Sequence, residues 1–224
     1  MHTQPAQSMI ERSRLPEHRT GRREFGAPIV ALFPTTQSPQ LTYFGAEAEI
    51  YAQGEKAGML YQIEFGVVRI FRLLADGRRQ ISAFHVAGEI FGFEADATHH
   101  FFAEAVCAAG IRVHREPIDP QLSRRILPVA IAALVRTQEH LLVIGRQSAT
   151  ERVAAFLVDM MDRQGGLAQV ELMMSRADIG DYLGLTIETV SRAVSRLRKS
   201  GHIRLSSARN VDILRPDGLR RICG

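Results

Sequence analysis

Between Ser175 and Ile203 the sequence SRADIGDYLGLTIETVSRAVSRLRKSGHI leaves few folds open: it spells a short helix, a three-residue break and a second helix of divided character. Successive helical residues are about 100° apart, so Glu188, Ser191, Arg192 and Ser195 share one face. Val190, Ala193, Val194 and Leu197 fall on the opposite face, where they can pack on Ile179 and Leu183 of the preceding helix. Ser175 with Asp178 three residues on is spaced as a capping box, and Gly184 supplies the permissive backbone that ends the first helix. From Thr186 to Arg209 the basic residues are Arg192, Arg196, Arg198, Lys199, Arg204 and Arg209, against the single acid Glu188. That asymmetry suits phosphates. A solvated helical hairpin would share the basic face, but the acid within it favours base reading. A carboxylate accepts from cytosine N4, and an arginine donates twice to guanine. After Gly201, HIRL and VDIL flank the polar SSARN as two short strands and a turn, a wing beside the helices.

The whole chain has 224 residues, 46% of them apolar, enough for two domains and an arm. Net charge is only +4, so DNA affinity has to come from the local cluster at 186–209. No signal segment or long apolar run is read, and the protein is expected to be cytoplasmic with no membrane contact. Cys107, within AEAVCAA, reads as a core thiol, and Cys223 near the end as idle. Residues 1–40, rich in Pro, Gln, Thr and Arg, read as a flexible N-terminal arm. From Leu41 to Arg115, Gly54, Gly66, Gly77 and Gly88 recur between short apolar runs, the spacing of an antiparallel roll or barrel. Within it Tyr61, Ile63 and Phe65 alternate with Gln62 and Glu64, which predicts a strand with one buried face. ADGRR at 75–79 predicts a hairpin turn.

Leu127, Ile131, Leu134, Gln138 and Leu141 then recur at spacings of four and three, as in a coiled-coil seam, and predict a dimer interface. Gly145 to Thr150 reads as a hinge, followed by the helix ERVAAFLVDMMDR, closed by Gly165 and Gly166. The expected fold is α+β: an arm at 1–40, a β-roll at 41–120, a dimerisation helix at 121–148 and a winged helix-turn-helix at 149–224.

A Gly-punctuated roll, a seam helix and a C-terminal winged helix-turn-helix, in that order over residues 41–214, resemble the Crp/Fnr family of bacterial transcription regulators. The sharpest stretch is ETVSR at 188–192, whose E-x-x-S-R pattern is similar to the Fnr and FixK branches; the Crp branch has Gly where Ser191 stands. The resemblance implies that Glu188, Ser191 and Arg192 read a twofold box with TTG at one end and CAA at the other, with Ile187 beside a thymine methyl. It implies phosphate contacts from Arg176, Thr186, Thr189, Ser195, Arg196, Lys199 and Arg209, and contact with RNA polymerase.

Cyclic-nucleotide binders of this family use a Gly-Glu pair and an Arg-Ser pair. Here Phe91, Gly92 and Phe93 cover the first and Phe101 with Phe102 replace the second, while Gly88-Glu89 lies too early. Two rings cannot neutralise a buried phosphate. Fnr itself holds an iron-sulfur cluster on N-terminal cysteines, and the arm here has none. What remains resembles the FixK type: an activator of microaerobic respiration and nitrogen-fixation genes, not an enzyme, with no cofactor and no metal. The alternatives are a regulator gated by a small molecule in a pocket of Phe91, Phe93, Phe101 and Phe102, one gated by haem on His85, His99, His100 or His114, and a cupin-like metal enzyme. The last needs H-x-H spacing, whereas the adjacent His99 and His100 would point to opposite faces of a strand.

Overall fold

The computed structural model describes residues 40–115, 120–146 and 148–223; the expected arm, save its last residue, lies outside them. Short apolar runs between glycine turns produce eight strands: β1 (Leu41–Phe44), β2 (Glu49–Tyr51), β3 (Met59–Phe65), β4 (Val67–Leu73), β5 (Arg79–Val86), β6 (Ile90–Phe91), β7 (Phe102–Ala105) and β8 (Ala109–Arg115). They form two four-stranded sheets, ordered β1-β8-β3-β6 and β2-β7-β4-β5, with every pairing antiparallel. At the β3–β4 turn, Gly66 has φ +90 and its missing Cβ would lie 2.6 Å from the Ala108 carbonyl oxygen, so both backbone and space demand glycine there.

One reading of the roll is corrected. In β3 Gln62 is buried and Phe65 is exposed, against the expected alternation. A register shift between Ile63 and Phe65 opposite β8 reverses the outer end of the strand. Along the rest of β3, Ile126 of the following helix covers Leu60 and Ile90, so the strand has little solvated face.

That helix is α1 (Pro120–Ile144), with Pro128 inside it. Its stretch Ile126–Ile144 has a mean hydropathy of 1.4 and is long and apolar enough to cross a membrane, which corrects the expectation of no long apolar run. The seam residues Leu127, Ile131, Leu134, Gln138 and Leu141 all lie exposed on it. Next comes α2 (Ala149–Arg163), which starts two residues before ERVAAFL; Ser148 is its cap and accepts from the Thr150 N–H at 3.2 Å.

The C-terminal part holds β9 (Gln169–Glu171), α3 (Arg176–Leu183), α4 (Ile187–Lys199), β10 (Ile203–Leu205), β11 (Asn210–Ile213) and α5 (Pro216–Cys223). The wing is a three-stranded sheet, β10-β11-β9, of which only β10 and β11 were legible as a pair. One apolar cluster runs from the roll into this part, with Phe71, Ile81 and Phe84 of β4 and β5 joined to Phe156, Leu157, Ile179, Tyr182 and Leu183.

Candidate nucleic-acid interface

The interface is built from α3, α4 and the wing. Ser175 caps α3 with a complete capping box: its hydroxyl accepts from the Asp178 N–H, and the Asp178 carboxylate accepts from the Ser175 N–H at 3.0 Å. Gly184 ends α3 at φ +64. Thr186 caps α4, and Val190, Ala193, Val194 and Leu197 are buried against the core while Glu188, Ser191 and Arg192 face solvent. Ile187 is 47% exposed at the start of the same helix. The amphipathic wheel thus becomes a fixed helix with one free polar face.

Two contacts pre-order that face. The Arg192 guanidinium donates to the Thr189 hydroxyl at 3.1 Å, which is itself 3.1 Å from the Thr186 hydroxyl. Hydrogen bonds from its own backbone N–H and from the Thr186 side chain hold the Glu188 carboxyl below the usual range, so it is an acceptor at neutral pH. Of the expected phosphate contacts, Thr186, Arg196, Lys199 and Arg209 are exposed, whereas Arg176, Thr189 and Ser195 are half-buried. Arg196 donates to Thr150 of α2 at 3.2 Å and thereby braces α4. Arg204 is paired with Asp212 at 2.9 Å across the wing, so it adds less free positive charge than the sequence count suggests.

Three residues that sequence reasoning passed over position this face. Gly180 sits inside α3, where an added Cβ would lie 2.6 Å from the Leu185 carbonyl oxygen. A lone glycine within a helical pattern was the available signal. Arg69, in the apolar strand VVRIF, is 3% exposed and binds Glu47, Glu104 and Asp178. An arginine amid buried apolar neighbours needs such partners. His140 of α1 stacks on Tyr182 of α3 with ring centroids 3.8 Å apart, and Tyr182 also packs on Phe84 and Phe156.

Burial pushes the His140 imidazole down to about 4, from an ordinary 6.5. The unfolded chain therefore takes up this proton at higher pH than the folded chain does. Stability from this group is complete above about pH 6.5 and falls as pH drops toward 4. The expected loss between pH 7 and 5 is about 2 kcal/mol. The gap between urea midpoints at the two pH values should narrow in His140→Phe, which keeps the stack, while the part due to His114, likewise pushed down to about 4 by burial, remains; an unchanged gap would contradict this assignment.

The roll offers a cavity of about 640 Å³ between its strands, α1 and α2, lined among others by Phe91, Phe93, Phe101, Arg136 and His140. Phe102 does not line it and instead stacks on Phe71 at 5.2 Å. Glu89 is engaged by Arg163 of α2 through two hydrogen bonds of 3.0 and 2.8 Å. Although burial opposes it, the His85 hydrogen bond and the Arg163 charge hold the Glu89 carboxyl down at about 2. With Phe101 and Phe102 in place of the Arg-Ser pair and Glu89 consumed, these residues do not fit a cyclic nucleotide.

His99 and His100 are not on a strand, which corrects the opposite-face argument. They lie in the β6–β7 loop and both reach Glu94, at 3.1 and 2.8 Å. Among the described residues no group of three or more His, Cys, Asp or Glu is placed to hold a metal ion.

A roll, a long helix and a capped helix-turn-helix with a polar reading face define a DNA-binding transcription regulator. Residues 151–222 match the model of the Crp-like helix-turn-helix domain, and 41–113 that of the cyclic nucleotide-binding domain. The chain is 53% identical to the nitrogen fixation regulation protein FixK of Rhizobium meliloti over 175 residues, covering 78% of this chain and 83% of the relative. It is 42% identical to the protein of the same name from Azorhizobium caulinodans, over 80% and 77% of the two chains. The structure of FixK2 from Bradyrhizobium japonicum superposes with a TM-score of 0.78 at 38% identity, covering 83% of this chain and 98% of that one. The chain belongs to the Crp/Fnr family of transcription regulators and, within it, to the FixK branch.

Proposed function

We propose that the protein is a cytoplasmic homodimeric activator that reads a palindromic TTG/CAA box through α4 without a bound cofactor, and serves nitrogen-fixation and microaerobic respiration genes. The observation that carries this reading is the polar face of α4: Glu188, Ser191 and Arg192 are exposed together while the opposite face is fully buried. Relatives named nitrogen fixation regulation proteins support the biological setting. The exposed seam of α1 supplies a self-complementary apolar stripe, and pairing there accounts for the long apolar run of that helix. The division into arm, roll to 120, dimerisation helix to 148 and reading domain to 224 belongs to the same proposal, as does contact with RNA polymerase.

Selection of bound sequences from random DNA, with no added ligand, tests the reading. Recovery of a palindrome with TTG and CAA ends is expected; enrichment of no sequence would overturn it. Within the recovered box, Arg192→Ala is expected to lose about 1–3 kcal/mol and to relax the preference for guanine at one position. Binding measured against a panel of point-substituted boxes checks this, and equal weakening on every sequence would assign Arg192 to phosphate instead.

An effector-gated regulator is the second reading, favoured by the cavity beside α1 and by the buried His140 Nε2, which has no hydrogen-bond partner among the described residues. Thermal shift and isothermal titration with small apolar and aromatic ligands distinguish it, since stoichiometric binding that changes DNA affinity would replace the cofactor-free account.

A further inference from the structure

The two oxygens of the Asp178 carboxylate serve different parts of the protein. Oδ2 accepts from the Ser175 N–H at 3.0 Å and the Ser175 hydroxyl at 2.7 Å, completing the cap of α3. Oδ1 accepts from Arg69 at 3.1 Å and Arg79 at 2.5 Å, both from the roll, 109 and 99 residues away in sequence. Arg79 also pairs with Asp181 one turn further along α3, and Gln80 donates to the Asp181 carbonyl at 2.7 Å. Asp178 and Arg69 have side chains only 6% and 3% exposed, so the bonds form away from water, where charge-assisted pairs are strong. Behind Arg69 stand Glu104 of β7 and Glu47, the latter held at φ +63. A non-glycine residue in that conformation is strained, and here it places a carboxylate on Arg69.

This arrangement clamps the start of the helix-turn-helix to the roll by charge, beside the apolar contact of Tyr182. α3 and α4 meet at the tight Gly180–Leu185 contact, so a clamp on α3 bears on the tilt of α4 relative to the roll. We propose that Arg69 and Arg79 are positioning residues that act through Asp178 to set the half-site spacing which the paired α4 helices accept. The inference rests on the dimeric DNA-reading proposal, because spacing has meaning only for two helices about 34 Å apart. Adjacent base pairs are about 3.4 Å apart, so a small change of tilt moves one helix by a step of the ladder.

The test measures affinity for boxes whose half-sites are moved one base pair closer or further, in the wild type and in Asp178→Asn, Arg79→Gln and Arg79→Lys. Asp178→Asn keeps an oxygen for the Ser175 cap while removing the charge. Arg79 is partly exposed, so Arg79→Gln keeps the question open to measurement even if Asp178→Asn folds poorly. The wild type is expected to prefer one spacing by about tenfold. Asp178→Asn and Arg79→Gln should bring that ratio within about threefold while leaving the ranking of single-base changes inside a half-site unaltered. Arg79→Lys should stay near the wild-type ratio. Lower affinity with an unchanged spacing ratio would reduce the clamp to a stabilising contact and overturn the inference. A wild type that binds no palindrome at any spacing would instead bring down the DNA-reading proposal beneath it.

Discussion

Replacing Leu134 with glutamate is expected to yield a folded monomer whose affinity for a palindromic site falls by about 10²- to 10⁴-fold, the advantage that linking two half-site contacts normally confers. Leu134 is 57% exposed on α1, between the equally exposed Ile131 and Leu141. Within one chain the substitution therefore removes little packing, and its effect on the monomer's stability should stay within about 0.5 kcal/mol. In a paired seam the same carboxylate would be driven into an apolar layer opposite its own copy, where a charge without a partner costs several kcal/mol. Sedimentation should then report a species of 24.9 kDa. A dimer that persists and binds its box undiminished would move the interface away from this seam.

Gly180→Ala is expected to be the most damaging small change in the reading head. On propensity alone, alanine should stabilise a helix interior by about 0.5–1 kcal/mol over glycine. Here the added Cβ would stand 2.6 Å from the Leu185 carbonyl oxygen, which is backbone and cannot rotate away. The same turn is pinned by the Leu185 N–H donating to the Gly180 carbonyl at 2.9 Å, so relief requires α3 and α4 to separate. Overpacking of this kind costs about 1–3 kcal/mol, which outweighs the propensity gain. The expected result is a lower melting temperature together with at least a tenfold loss of specific binding, about one base-pair contact. A stabilised protein with normal affinity would show that the turn has slack.

The helix-turn-helix was legible because its determinants are local. The Ser175–Asp178 cap, the Gly184 terminator and the buried stripe from Val190 to Leu197 follow from spacings of three and four residues, and the structure places each as read. The four glycines of the roll were legible for the same reason, since each turn needs a positive φ. What escaped was non-local. The alternation assigned to β3 failed because one register shift reversed the side chain of Phe65 and because a helix more than fifty residues on covers the other face. His99 and His100 converge on Glu94 because a loop holds them, and no strand periodicity applies. Asp178 showed its role in the cap, while its bonds to Arg69 and Arg79 depend on which strand faces α3. Glu89 carried the letters of a ligand motif, but Arg163 of α2 gives it a structural partner instead.

The apolar cluster that passes from Phe71, Ile81 and Phe84 of the roll into Leu157, Ile179 and Leu183 bears on how such proteins can be inherited. If the roll and the reading head met only through a linker, recombination could exchange one sensor for another and leave the head intact. Here the outer face of β4 and β5 is part of the head's own interior. A lineage that replaced the roll would have to carry this hairpin across or rebuild the complementary surface of α2 and α3.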